Sequence, residues 1–91
     1  MYVDTLCNQL YQQYDFLLRH VPLYSSRRRL IGEIDILAIA GGHCDIYEVK
    51  CSYRLSKARR QLKKIKKILS RDSLVRDSFF YCGGARKLVK I

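Results

Sequence analysis

The chain has no long unbroken apolar run. Met1 to Leu18 is interrupted by Asp4, Gln9, Gln12, Gln13 and Asp15, so it lacks the hydrophobic stretch of a secretory leader. No later segment approaches the length of a membrane span. An intracellular protein away from membranes is the expectation. Paired cysteine motifs are missing: Cys7, Cys44, Cys51 and Cys82 are scattered and form no C-x-x-C pair, which argues against a structural zinc built from them. They read as small buried or half-buried thiols, with a disulfide left open. Proline occurs once, at Pro22. Polar low-complexity tracts are missing, and an apolar fraction of 48% is that of a globular chain.

Acidic residues are also scarce. Eight Asp and Glu face 18 Lys and Arg, a formal net charge of +10. Such an imbalance in 91 residues points to a polyanionic partner, nucleic acid first and an anionic membrane surface second. The membrane reading is the weaker one, because no helix combines a basic face with an aromatic one. The length fits one small domain with a limited core, to which a homodimer would add burial.

Apolar spacing predicts a helix from Tyr2 to about Leu18, through Val3, Leu6, Cys7, Leu10, Tyr14 and Leu17. Its end is ambiguous, since Phe16 to Tyr24 also reads as a strand that Pro22 marks as an edge. Ser25-Ser26-Arg27-Arg28-Arg29 reads as a loop. Ile31–Ala40 and Cys44–Ser52 read as strands of a hairpin turned at Gly41-Gly42. Leu55–Leu69 is the strongest helix, with Leu55, Ala58, Leu62, Ile65 and Leu69 on one face and Ser52 or Ser56 as candidate caps. Ser78–Cys82 reads as a short strand ended by Gly83-Gly84, and Leu88–Ile91 as a further one.

The two hairpin strands carry charges where a simple core would not. Asp35 lies between Ile34 and Ile36, and Glu48 and Lys50 flank Val49. Strand side chains alternate between faces, so a suitable register brings Asp35, Glu48 and Lys50 together. Two carboxylates and a backbone carbonyl are the hard oxygen donors that Mg2+ takes. A metal there would polarise a phosphodiester oxygen and lower the pKa of a water, with Lys50 orienting that water or neutralising phosphate charge. A basic stretch follows at once: Arg54, Lys57, Arg59, Arg60, Lys63, Lys64, Lys66, Lys67 and Arg71, with no acid between Arg54 and Arg71. An all-basic helix forgoes i, i+4 ion pairs, which makes sense where phosphates neutralise it. Arg27, Arg28 and Arg29 are similar candidates for phosphate contacts, which position DNA without reading its sequence.

An Asp, then Glu-x-Lys on the neighbouring strand, then a helix, resembles the PD-(D/E)XK nucleases. The stretch GEIDILAIAGGHCDIYEVKCS is most similar to archaeal Holliday junction resolvases and related small nucleases, viral ones included. The resemblance runs over about Asp4 to Ile68. It implies an α/β, restriction-endonuclease-like αβββαβ core, a central mixed sheet flanked by helices, and Mg2+- or Mn2+-dependent hydrolysis of DNA phosphodiesters. By that pattern Asp35 and Glu48 bind metal with the carbonyl of Val49, and Lys50 is the catalytic lysine. The family's acid on the first helix falls on Asp4, twelve residues before Phe16. The family's proline before the first aspartate is replaced by Ile34. Some relatives add Gln-x-x-x-Tyr on the next helix; here Gln61 is followed by Ile65.

The expectation is a metal-dependent DNA endonuclease, resolvase-like and homodimeric, with Phe79-Phe80-Tyr81 or the second helix as dimer surface. A general or flap- and end-specific nuclease of a virus or mobile element stays open. So does a non-catalytic nucleic-acid-binding module on a decayed nuclease fold. Glu33 reads as either an extra metal-site acid or a strand-end charge paired with a loop arginine. Asp45 reads as solvated and His43 as solvent-exposed. Tyr11, Tyr14, Tyr24, Tyr47, Tyr53 and Phe79 read as core or dimer surface rather than base-stacking platforms.

Overall fold

The computed structural model describes residues 2–52, 54–71 and 73–91; Tyr53 lies outside them. The elements run α1 (Tyr2–Leu10), β1 (Phe16–Tyr24), β2 (Leu30–Ala40), β3 (His43–Lys50), α2 (Leu55–Leu69), β4 (Val75–Cys82) and β5 (Lys87–Lys90). The fold is α/β, with two helices and one five-stranded mixed sheet of order β1-β2-β3-β4-β5. Only β3 and β4 pair in parallel, which their crossover through α2 requires.

The first helix stops at Leu10, well short of Leu18. Its helical spacing loses to strand pairing: Phe16, Leu17 and Leu18 lie across from Ile39, Ala38 and Leu37. Asp15 pins this start, donating its N–H to the Ile39 carbonyl (2.8 Å) and accepting from the Gly41 N–H (2.9 Å). Gly41 has φ +60°, the left-handed conformation that a tight hairpin turn needs. Pro22 sits on β1 at the sheet edge, where its missing N–H matters least. Neither Ser52 nor Ser56 caps α2. The cap position falls on Arg54 and makes no side-chain hydrogen bond.

Each sheet face carries one helix. Leu62, Ala58 and Ile65 of α2 pack with Ile46, Phe80 and Cys82. Leu6, Cys7 and Leu10 of α1 pack with Ile36, Ala38, Tyr47 and Tyr81. The neighbours Ile46/Tyr47 and Phe80/Tyr81 divide between the two cores, as strand alternation demands. Because β5 pairs along β4, the Phe79-Phe80-Tyr81 segment is an interior strand. Phe80 (0% exposed) and Tyr81 (6%) are core, so this strand is not the dimer surface that its apolar sequence suggests. Among the described residues, no helix is long and apolar enough to cross a membrane.

Candidate active site

The alternation fails at one place. Ile34 belongs to the core under α2 and Ile36 to the core under α1, although residues two apart in a strand should share a face. The strand therefore rotates sharply at Asp35. Across the ladder, between the Arg19–Ile36 and Val21–Ile34 pairs, His20 has φ +51°, uncommon for a residue other than glycine. The ladder between β2 and β3 also ends here, its last pair being Ile36–Tyr47. Beyond it, the Val49 N–H donates to Asp35 Oδ2 (2.8 Å). An aspartate side chain thus takes a backbone donor at the mouth of two diverging strands.

Asp35, Glu48 and Lys50 come together at this notch. Glu48 is 2% exposed, and its Oε1 accepts an ion-pair contact from Lys50 Nζ at 3.0 Å. Burial pushes the Glu48 carboxyl above its ordinary range, and the charge of Asp35 adds to the rise, with Lys50 opposing it. Burial likewise raises Asp35; the Val49 N–H and Lys50 oppose that rise, while Glu33 adds to it. The hydrogen bond to Glu48 raises Lys50 and keeps it protonated. Two carboxylates that repel each other, served by one lysine, form a donor set suited to a dication.

Two residues join the notch beyond the expected motif. Glu33 pairs with His20 of β1, His20 Nδ1 to Glu33 Oε1 at 2.9 Å, rather than with a loop arginine. One donor atom each from His20, Glu33 and Asp35 all lie within 4.8 Å of one another. The sequence offered no signal for His20, because its strand was ambiguous and its partner register unknown. Asp4 is engaged by the guanidinium of Arg19, at the surface. Gln61 lines a shallow groove of about 160 Å3 with Leu23, Ile31, Gly32, Lys64, Ile65 and Ile68.

The basic residues divide by position. Lys50, Ser52, Arg54 and Lys57 line one hollow of about 200 Å3 beside the notch. Arg60, Lys63, Lys64 and Lys67 are exposed along α2, whose buried side is Ala58, Leu62 and Ile65. Arg27, Arg28 and Arg29 are exposed on the β1–β2 turn, where Ser25 Oγ accepts from the Arg27 and Arg29 N–H groups.

Three other side chains differ from expectation. Asp45 is fully buried, not solvated. It accepts from Arg76 Nε (3.1 Å) and Nη2 (2.7 Å), from the Asp77 N–H (3.0 Å) and from the Tyr14 hydroxyl (2.5 Å). The cause is the parallel β4, whose register shift opposite Cys44–Ile46 turns Arg76 and Asp77 toward it. His43 is half-buried beside Leu37, Ile39 and Leu74, and its Nε2 has no hydrogen-bond partner among the described residues. All four cysteines are free, with only Cys51 exposed. Of the aromatics, Tyr47 is core and stacks on Phe79, Tyr14 is half-buried, and Tyr11 and Tyr24 are exposed. The chain matches no protein-family model and no curated protein sequence.

Proposed function

We propose that this chain is a metal-dependent DNA endonuclease of the PD-(D/E)XK type, resolvase-like in its use of a homodimer on branched DNA. The observation that carries the reading is the notch at Asp35. There the β2–β3 ladder ends, two mutually repelling carboxylates meet, and a protonated lysine stands 3.0 Å from one of them. An arrangement that costs stability without a cation is what a site for one looks like.

Asp35, Glu48 and the Val49 carbonyl would hold Mg2+ or Mn2+, which when bound supplies Lewis-acid polarisation of a phosphodiester oxygen and a more acidic water. The chain's own groups account for the rest. Lys50 holds a full positive charge where the attacked phosphate gains negative charge, and its contact with Glu48 fixes its direction. Arg54 and Lys57, in the hollow that Lys50 also lines, would take the neighbouring phosphate of the same strand. The exposed cations of α2 and of the Arg27–Arg29 turn would follow the backbone further out. All these contacts go to phosphate, so the protein would select DNA by shape rather than by base sequence. Cutting a junction symmetrically takes two sites, hence two copies.

The experiment offers a four-way DNA junction, a linear duplex and single strands to the protein, with Mg2+, with Mn2+ and with EDTA. Paired nicks at the junction that need metal are the expected result. Equal cutting of all substrates points to a general nuclease. No cutting with either ion, while junction binding persists, refutes the enzyme and leaves a binding module. Asp35→Asn should abolish cleavage and keep binding.

A further inference from the structure

Glu33, Asp35 and Glu48 are three of only eight acidic residues in a chain of net charge +10, and they crowd one notch. Lys50 answers Glu48 directly at 3.0 Å. Besides Lys50, the basic group acting on Asp35 is an imidazole. His20 reaches across from β1 with its Nδ1 2.9 Å from Glu33 Oε1, and one donor atom from each of His20, Glu33 and Asp35 falls within 4.8 Å of the others. Donors about 2.1 Å from an octahedral ion stand about 3 Å apart when adjacent and about 4.2 Å apart when opposite. The His20–Glu33 contact at 2.9 Å is already at the adjacent spacing, and the 4.8 Å that bounds all three groups is a little wider than the opposite one. They also come from two strands whose register is fixed by pairs on both sides, Arg19–Ile36 and Val21–Ile34, so the ladder delivers them together.

We propose that His20, Glu33 and Asp35 form a divalent-cation site whose imidazole donor makes it prefer a transition-series ion, Mn2+ among them, to Mg2+. The proposal rests on the reading of Asp35 as a metal ligand; it adds His20, Glu33 and the choice of ion. Mg2+ takes oxygen donors and gives up its waters reluctantly, whereas imidazole nitrogen suits the later divalent metals. A site of oxygen donors alone would separate the two ions less, and loss of the imidazole would not change their ratio. Asp35 belongs to both donor sets, with Oδ2 held by the Val49 N–H. Glu33 and His20, more than half exposed, leave open positions for water or a phosphate oxygen. The competing account makes His20–Glu33 an ordinary surface ion pair.

The test uses the full chain freed of metal by chelation, with Mn2+ and Mg2+ as probes. Calorimetric titration gives both affinities for the wild type, His20→Asn and Glu33→Gln. Asparagine tolerates the left-handed backbone at position 20, so His20→Asn keeps the strand's geometry. Electron spin-echo spectroscopy of the Mn2+ form then looks for imidazole nitrogen coupled to the metal. His43 is the only other histidine, and His43→Asn controls for it.

The expected result is Mn2+ binding about tenfold or more tighter than Mg2+ in the wild type. His20→Asn should lower Mn2+ affinity by about tenfold or more, leave Mg2+ affinity within about threefold, and lose the imidazole coupling that His43→Asn retains. Glu33→Gln should weaken Mn2+ binding while keeping the coupling. Absence of coupling in the wild type overturns the proposal, as does an equal loss of both ions in His20→Asn. The nuclease reading fails separately. Coupling without cleavage of any DNA refutes the enzyme and keeps this site; cleavage without coupling keeps the enzyme and refutes this site.

Discussion

Asp45→Ala should destabilise the protein severely without touching the notch. The carboxylate is fully buried and collects four donor contacts: two from Arg76, one from the Asp77 N–H and one from the Tyr14 hydroxyl. Those contacts hold its proton affinity below the ordinary carboxylate range against the pull of burial. Removing it leaves different donors in different straits. The Arg76 side chain is half exposed and turns to water. The Tyr14 hydroxyl keeps Tyr47, 2.7 Å away. The Asp77 N–H, inside β4, is left without that acceptor. Summing the broken charge-assisted bonds and the stranded donor gives a cost of about 3–4 kcal/mol. A 91-residue chain has about 5–14 kcal/mol in all. The melting temperature should therefore fall by roughly 12–30 °C. Urea unfolding followed by circular dichroism and by tyrosine emission, in a chain without tryptophan, measures the change. The sign with pH follows from the lowered folded value. Asp45 stabilises the protein above the 3.8 of a free aspartate, and that contribution disappears as the pH falls through the lower folded value. A loss below about 1 kcal/mol at neutral pH would refute the network as a structural anchor. Metal affinity that falls along with stability under folding conditions would refute its separation from the notch.

The notch should show the opposite pH behaviour. Glu48 is raised above the 4.5 of a free glutamate, so its contribution to folding is fully present below 4.5 and is lost as the pH rises through the folded value. Metal-free Glu48→Gln should therefore have its largest stability advantage over the wild type near pH 7. That advantage should shrink as the pH falls toward 5, and a difference in melting temperature independent of pH refutes it. On α2, Lys63→Gln with Lys67→Gln should weaken DNA binding evenly across sequences and lower the log–log salt slope by about 0.9 for each phosphate no longer neutralised. An unchanged slope would take those lysines off the backbone.

The sequence reveals the core more readily than the exceptions to it. Leu55 to Leu69 is helical by pattern and in the structure, because a single apolar face at 3.6-residue spacing leaves little choice. The hairpin of β2 and β3 is equally plain, and with it the meeting of Asp35 and Glu48. The end of α1 was not legible, because Phe16 to Tyr24 fits either period and only the pairing with β2 decides it. The interior place of β4 depended on whether the short segment Lys87–Lys90 would pair with it. His20 and Asp45 were hidden for a shared reason: their partners lie 13 and 31 residues away, Glu33 for one and Arg76 for the other. Such contacts are set by register and by the parallel crossover, neither of which local pattern encodes.

Asp35 and Asp45 make the physical distinction sharpest. Both are aspartates of one hairpin, on neighbouring strands, flanked by apolar residues. Around Asp45 the fold gathers a guanidinium, a backbone N–H and a phenol, and the carboxyl becomes more acidic despite full burial. Around Asp35 it supplies one backbone N–H and places two further carboxylates nearby, and the carboxyl becomes less acidic. Asp45 is fully buried and Asp35 half-buried, so exposure alone would order them the other way; the number of donors decides. A chain with so few acids and so many bases could have given Asp35 an arginine as it gave one to Asp45. Instead a left-handed backbone in mid-strand, at His20, brings an imidazole to it, and Glu33, two residues away on its own strand, adds a second acid. Structural carboxylates such as Asp45 are satisfied from within the fold, whereas Asp35, with one backbone donor and two acids beside it, is the kind of group that the proposed cation would satisfy.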